Sequence, residues 1–181
     1  MKKAGLAALV VLAVQAGGYA RAADTFQGTV TYGSETLPIV TGYVVVAAVE
    51  SAASGPVLSF ALFSKPLPTS TAAPTSTGVV NDMDFMGPRV VIDLDTRKGS
   101  TAATPATYTG CRVKFLGFEG GPYVWSDNAP PKPCGLVDVS GTLQPGSPVT
   151  ARLEGNNPGF PPHVKASSWN VTVKTTANGK R

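Results

Sequence analysis

Short runs of alternating apolar and polar residues recur along this chain, separated by turns that contain glycine and proline. A period of two indicates a β-strand with one buried face, because successive side chains of a strand point to opposite sides. After the N-terminal segment no stretch keeps the 3.6-residue period of an amphipathic helix. We count eight to ten such runs, of which the clearest are TFQGTVTY, PRVVIDLD, CRVKF, LVDVSGTL, PVTARLEG and SSWNVTVKT.

The composition agrees with a chain built from strands and turns. Glycine and proline account for 20 and 16 of the 181 residues, and only 14% of the residues are charged. Many short strands joined by such turns favour two packed antiparallel sheets. We therefore predict an all-β, single-domain antiparallel β-sandwich, Ig-like or jelly-roll-like, with a barrel as the alternative.

The first residues have the features of a secretory signal peptide. Lys2 and Lys3 precede an apolar run of eleven residues at 4–14, and Ala20-Arg21-Ala22 is a cleavage signal. As a helix the run measures roughly 16 Å, about half of a bilayer core, so we expect no membrane anchor after cleavage. We predict a signal peptide at residues 1–22, one domain at residues 23–181 with a long loop at residues 66–78, and a bacterial periplasmic or secreted location.

Cleavage nearly removes the net charge of +4. Without Lys2, Lys3 and Arg21 the chain keeps twelve basic and eleven acidic residues, and it has no cluster of Lys and Arg. Nucleic-acid binding needs several cations on one face, so we expect no nucleic-acid partner.

The chain has two cysteines, Cys111 and Cys134. In an oxidising compartment the expected state of a lone pair is a disulfide. A metal pair would need further soft ligands, and a redox pair usually has C-x-x-C spacing. On the chain-entropy model, closing this loop of 24 residues stabilises the fold by roughly 3 kcal/mol.

Four aspartates, Asp82, Asp84, Asp93 and Asp95, lie within fourteen positions. The alternation in VVIDLD places Asp93 and Asp95 together, opposite Val90, Ile92 and Leu94, which predicts the solvated face of a strand. Four neighbouring carboxylates would alternatively suit calcium, but the ligand spacing of an EF-hand is missing. A carboxylate pair of a glycoside hydrolase is the remaining alternative. We predict no metal and no cofactor, with these four as weak calcium candidates.

Aromatic and short polar residues adjoin each other between the cysteines. Tyr123 and Trp125 precede Asp127 and Asn128, and exposed aromatic rings beside such groups can bind a sugar or peptide. The alternative is that Trp125 packs against a Cys111–Cys134 bridge. We take Tyr123, Trp125, Asp127 and Asn128 as ligand-binding candidates.

The segments GYVVVAAVE and PVLSFALF predict a hairpin that is apolar on both faces. A strand of this kind must be covered twice. We expect the chain itself to provide the second cover, with a partner molecule as the alternative.

Catalytic patterns are missing from the sequence: it contains no G-x-S-x-G, no phosphate-binding glycine loop and a single histidine. We therefore expect an exported cell-envelope binding or interaction protein, not an enzyme, whose partner is a protein, peptide or carbohydrate. The alternative is a secreted hydrolase that uses Asp82, Asp84, Asp93 and Asp95. The sequence leaves the ligand and the oligomeric state open.

Overall fold

A computed structural model describes residues 24–47, 54–66, 87–118, 123–127, 135–159 and 165–178 of the chain. These residues form eleven strands and a short 3₁₀ turn at Pro105–Thr107. The strands are β1 Thr25–Tyr32, β2 Glu35–Ile39, β3 Thr41–Ala47, β4 Ser54–Phe63, β5 Arg89–Arg97, β6 Ala102–Ala103, β7 Tyr108–Leu116, β8 Tyr123–Asp127, β9 Leu136–Thr142, β10 Pro148–Asn157 and β11 Ser167–Thr176.

The first of two antiparallel sheets, sheet A, has the strand order β2-β1-β11-β10-β9-β6. The first and last strands of the described chain are neighbours in it, with Thr29 opposite Asn170 and Val30 opposite Trp169. Its strands alternate as their sequences predict: one face is buried, and the other carries mainly Thr, Ser, Asn, Lys and Arg side chains. The buried residues include Phe26, Val30, Tyr32, Val137, Val139, Val149, Ala151, Leu153, Trp169, Val171 and Val173.

Sheet B has the order β3-β4-β5-β7-β8. The predicted hairpin of GYVVVAAVE and PVLSFALF is the pair β3–β4, and β5 and β7 continue the sheet. Its inner face packs against sheet A in one hydrophobic core, because every second residue of these strands is aliphatic or aromatic. The inner-face residues include Val44, Val46, Leu58, Phe60, Leu62, Val90, Ile92, Leu94, Cys111, Val113 and Phe115.

Aromatic rings from both sheets pack against each other at one end of this core. Phe115 of sheet B stacks on Tyr32 of sheet A with ring centroids 5.0 Å apart, and its centroid lies 6.4 Å from that of Trp169. Phe118 meets both Tyr32 and Phe115 edge-on. Such aromatic pairs contribute about 0.5–1.5 kcal/mol each beyond the area they bury.

The outer face of sheet B carries a second, smaller apolar cluster. Val45, Ala61, Phe63 and Val91 are at most 1% exposed and pack with the partly buried Tyr43. The prediction that this hairpin is apolar on both faces is therefore confirmed. These residues are buried within a single chain, so their burial does not require a partner molecule.

Two sheets packed face to face confirm the predicted antiparallel sandwich. Neither sheet closes on itself in the described part of the chain, so the barrel alternative is wrong. The sequence count of eight to ten strands missed β2 and β6. The strand β2 contains Pro38, and β6 is only two residues long, so neither presents a clear alternating run. The predicted signal peptide lies outside the described residues, as does most of the predicted loop.

Candidate functional site

The predicted carboxylate group divides between described and undescribed parts of the chain. Asp93 and Asp95 lie on the outer face of β5, where the alternation places them, whereas Asp82 and Asp84 lie outside the described residues. The expectation that this face is solvated is wrong for Asp93, which is 2% exposed. Its neighbour on the same face of β5, Val91, is also fully buried, so the outer face of sheet B is covered at this point.

The buried carboxylate of Asp93 is hydrogen-bonded to a hydroxyl group and paired with cationic side chains. Its Oδ1 accepts a hydrogen bond of 2.5 Å from the Ser59 hydroxyl on β4. Its Oδ2 lies 2.8 Å from the Lys114 Nζ and 3.8 Å from the Arg112 Nε, both on β7. The Arg112 Nη2 also donates to the Asp95 Oδ1 over 2.8 Å. Two carboxylates therefore face two cations, an arrangement in which the protein's own side chains replace a bound cation.

No group of three or more His, Cys, Asp or Glu side chains placed to hold a metal ion occurs among the described residues. Since the Asp93 oxygens are already engaged by Ser59 and Lys114, this strand does not present them to an incoming ion or substrate. Asp93 and Asp95 are thus positioned as structural charges of sheet B. Calcium binding at Asp82 and Asp84 stays untested.

The aromatic candidates lie on β8, the edge strand of sheet B. In its register with β7, Tyr123 is opposite Phe115, Trp125 is opposite Val113, and Asp127 is opposite Cys111. Directly opposite residues of an antiparallel pair share a face, and these three β7 residues belong to the core between the sheets. Whether positions 123 and 125 pack in the core or bind a ligand stays untested. Asn128 lies outside the described residues, so the set of four stays a prediction.

Cys111 is fully buried on the inner face of β7. The described part of the chain contains no free cysteine. Cys134 lies outside the described residues, so the Cys111–Cys134 disulfide stays a prediction.

A polar groove that the sequence did not predict lies on the outer face of sheet A. Its larger section has a volume of about 610 Å³, and an adjoining cavity of about 330 Å³ shares Asn156 and Ser168 with it. Both volumes fall in or near the range of small-molecule sites. We define the polar groove by the six hydrogen-bonding side chains along it, Thr29, Thr31, Glu154, Asn156, Ser168 and Asn170.

The strand register arranges these six residues in two rows. In the first row Asn170 of β11 lies between Thr29 of β1 and Glu154 of β10. In the second row Ser168 lies between Thr31 and Asn156. Adjacent strands are about 4.8 Å apart and the rows, two residues apart, about 6.8 Å. A rigid sheet thus holds polar groups at regular spacing over roughly 10 Å by 7 Å.

Four of the six side chains have unused hydrogen-bonding capacity. Elsewhere on sheet A exposed polar side chains bond each other, for example Ser140 with Thr150 over 2.6 Å. Within the groove, Thr31 bonds Thr36, and Glu154 accepts from Arg152. No side-chain hydrogen bond to the described part of the protein engages the remaining four, Thr29, Asn156, Ser168 and Asn170.

Two glycines allow the backbone around the groove to approach closely. Gly28, beside Thr29, has a φ of +148°, and a Cβ there would lie 2.1 Å from the Asn170 carbonyl oxygen. A Cβ on Gly135 would lie 2.4 Å from the Glu154 carbonyl oxygen. Glycine is therefore required at both positions, because a larger residue would push Gly28 away from Asn170 and Gly135 away from Glu154.

The sequence predicts five of these groove residues as outward-facing polar positions of three strands, and Asn156 lies just beyond the predicted run PVTARLEG. It does not show that β1 and β11, at opposite ends of the chain, are neighbours. The one available signal is that outward positions of GTVTY, EGNN and SSWN carry only Thr, Ser, Asn and Glu, with no Lys or Arg among them.

The fold and the groove together define an all-β sandwich protein with a polar surface cleft. Comparison with protein-family models, with curated proteins and with solved structures gives no significant match. No helix in the described part of the chain has the length and apolar character needed to span a membrane.

Proposed function

We propose that this chain is an exported, non-enzymatic binding protein of the cell envelope and that the polar groove of sheet A is its binding surface. The observation that carries the proposal is the set of four unengaged side chains, Thr29, Asn156, Ser168 and Asn170, in a cleft of about 610 Å³. Strand pairing fixes the backbone positions of these residues, so ligand binding has to order only their side chains.

Export is supported by the sequence at the N-terminus. The basic residues, the short apolar run and the Ala20-Arg21-Ala22 signal have the order of a secretory signal peptide. A pair of cysteines suits the oxidising compartment that such a signal leads to. A periplasmic or secreted bacterial protein is consistent with both features.

The alternative function, hydrolysis by clustered carboxylates, loses support from the surroundings of Asp93. A general acid or nucleophile must reach the substrate, and Asp93 is 2% exposed, with Lys114 and Ser59 on its oxygens. Asp95 is held by Arg112. A hydrolase would therefore have to rely on Asp82 and Asp84.

The test is capture of envelope components by immobilised mature protein, compared with two groove variants. We expect wild type to retain at least one envelope component that Asn156→Ala and Asn170→Ala lose, because each substitution removes two hydrogen-bonding groups from the groove. Thr172→Ala is the matched control: Thr172 is exposed on the same face of β11, one row beyond the groove. Identical captured material from wild type and both groove variants would show that this surface is not the binding site.

A further inference from the structure

We infer that the polar groove binds a neutral, polyhydroxylated ligand, specifically a short oligosaccharide. The inference rests on the proposed function and names the ligand class of the same site. It follows from three properties of the groove, namely its charge, its hydrogen-bonding groups and the lack of large exposed apolar side chains in its described lining.

The charge of the groove excludes strongly charged ligands. Its lining contains no Lys or Arg, so nothing there would compensate the charge of a phosphate or sulfate group. Its one carboxylate, Glu154, already lies 3.0 Å from the Arg152 Nη2. A lone carboxylate that is paired in this way provides too few ligands for a calcium ion.

The hydrogen-bonding groups match the chemistry of sugar hydroxyls. An asparagine side chain both donates and accepts, and so does a serine or threonine hydroxyl. A sugar hydroxyl also does both, and neighbouring hydroxyls on a ring can engage neighbouring side chains. In the first row, Thr29 and Asn170 face each other across β1 and β11, and in the second row Ser168 and Asn156 do so across β11 and β10. These two pairs present adjacent donors and acceptors to one face of a ligand.

A peptide ligand fits this groove less well. Peptide sites combine main-chain hydrogen bonds with apolar anchors that fill pockets. The described groove contains one aromatic residue, Trp169, which is 2% exposed because it packs in the core between the sheets. The exposed apolar residues of the lining, Pro158 and Ala166, are small, so hydrogen bonds to hydroxyl groups are the main interaction that the groove offers.

The experiment is a binding screen of the mature protein against soluble oligosaccharides of glucose, galactose, mannose and N-acetylglucosamine, with sulfated and phosphorylated counterparts alongside. We expect at least one neutral oligosaccharide to bind. We expect Asn156→Ala and Asn170→Ala each to weaken its affinity by about three- to tenfold, the range for losing one neutral hydrogen bond. Thr172→Ala should leave the affinity within about twofold, and added salt should change it little because no ion pair is involved. Thermal denaturation of each variant controls for folding.

Absence of binding by every neutral oligosaccharide would overturn the inference, and so would a preference for the sulfated or phosphorylated forms. Neutral-sugar binding that is unchanged in both asparagine variants would also overturn it, because the sugar would then bind elsewhere. The envelope capture experiment separates the two proposals. If the groove variants lose an envelope component there and no neutral sugar binds, the proposed function stands and only the ligand class is wrong.

Discussion

Asp93 shows how one buried charge can be accommodated in a small β-sandwich. Removing a carboxylate from water is costly, and here Lys114 at 2.8 Å and the Ser59 hydroxyl at 2.5 Å offset that cost. Arg112 belongs to the same network but is 40% exposed, so its pair with Asp95 is weakened by solvent. The two neighbouring aspartates of β5 should therefore differ greatly in their effect on stability.

We expect Asp93→Ala to lower the free energy of unfolding by about 3 kcal/mol, since it leaves Lys114, whose side chain is 17% exposed, without its buried counter-ion. Asp95→Ala, on the same strand and face, should cost less than about 1 kcal/mol. Urea denaturation of the two variants measures both values. If both variants lost the same unfolding free energy, the burial of Asp93 would not make its ion pair more stabilising than that of Asp95.

Tyr108 provides a second test at the scale of single residues. Burial, and to a smaller extent the charge of Asp138, raises the pKa of Tyr108 well above its ordinary value. A raised pKa in the folded state contributes stability that is fully present below the unfolded value of about 10 and is lost as the pH rises through the folded value.

We therefore expect the unfolding free energy of wild type to fall above about pH 10 more steeply than that of Tyr108→Phe. At pH 7 the substitution should leave stability unchanged or raise it by about 1 kcal/mol, because no described group hydrogen-bonds the Tyr108 hydroxyl. Denaturation curves between pH 7 and roughly pH 11 give the comparison. If the unfolding free energies of the two proteins changed equally with pH, Tyr108 would not be the source of the loss of stability at high pH.

At the scale of elements, alternation predicts most of the fold but not the pairing of strands. The inward residues of β1, β5, β7, β10 and β11 are those that the sequence pattern indicates. Asp93 was predicted to be solvated because an aspartate on a strand usually faces water. The sign of a covered outer face lies on β3 and β4, and the sequence does not show that β4 pairs with β5. The groove could not be predicted either, since its residues converge only when β11 pairs with both β1 and β10.

The strand β8 allows the aromatic hypothesis to be tested. Trp125 is opposite Val113, a core residue, so we expect Trp125→Ala to cost about 3–5 kcal/mol of stability. Ser126, the next residue on β8, is opposite the partly exposed Arg112, and Ser126→Ala should change stability by less than about 0.5 kcal/mol. Chemical denaturation of both variants measures these two stability changes. A stable Trp125→Ala variant that has lost ligand binding would restore Tyr123, Trp125, Asp127 and Asn128 as the site.

At the scale of the whole molecule, the two sheets are joined by more than their shared core. After β11 of sheet A, the chain runs beside β3, the edge strand of sheet B. There the Asn178 N–H donates to the Val44 carbonyl over 2.7 Å, and the Val46 N–H donates to the Asn178 carbonyl over 2.8 Å. These bonds link the end of sheet A to sheet B and pair part of an edge that would otherwise be open to other chains.

The predicted disulfide would add a further link between the sheets. Cys111 lies on β7 of sheet B, and Cys134 immediately precedes Gly135, which leads into β9 of sheet A. The chain between the two cysteines therefore crosses from one sheet to the other. A bond between the two cysteines limits the conformations of the unfolded chain, which is the source of disulfide stabilisation in the chain-entropy model.

We expect exported protein to contain no free thiol by Ellman's reagent in denaturant. Reduction should lower the melting temperature by roughly 6–12 °C, which corresponds to about 3 kcal/mol in a domain of this size. Cys134→Ser should melt near the temperature of the reduced wild type, and the reductant should not change its melting temperature further. Two reactive thiols in the native protein, or a reductant effect that persists in Cys134→Ser, would refute the bridge. The hydrogen bonds of Asn178 would still link the two sheets in that case.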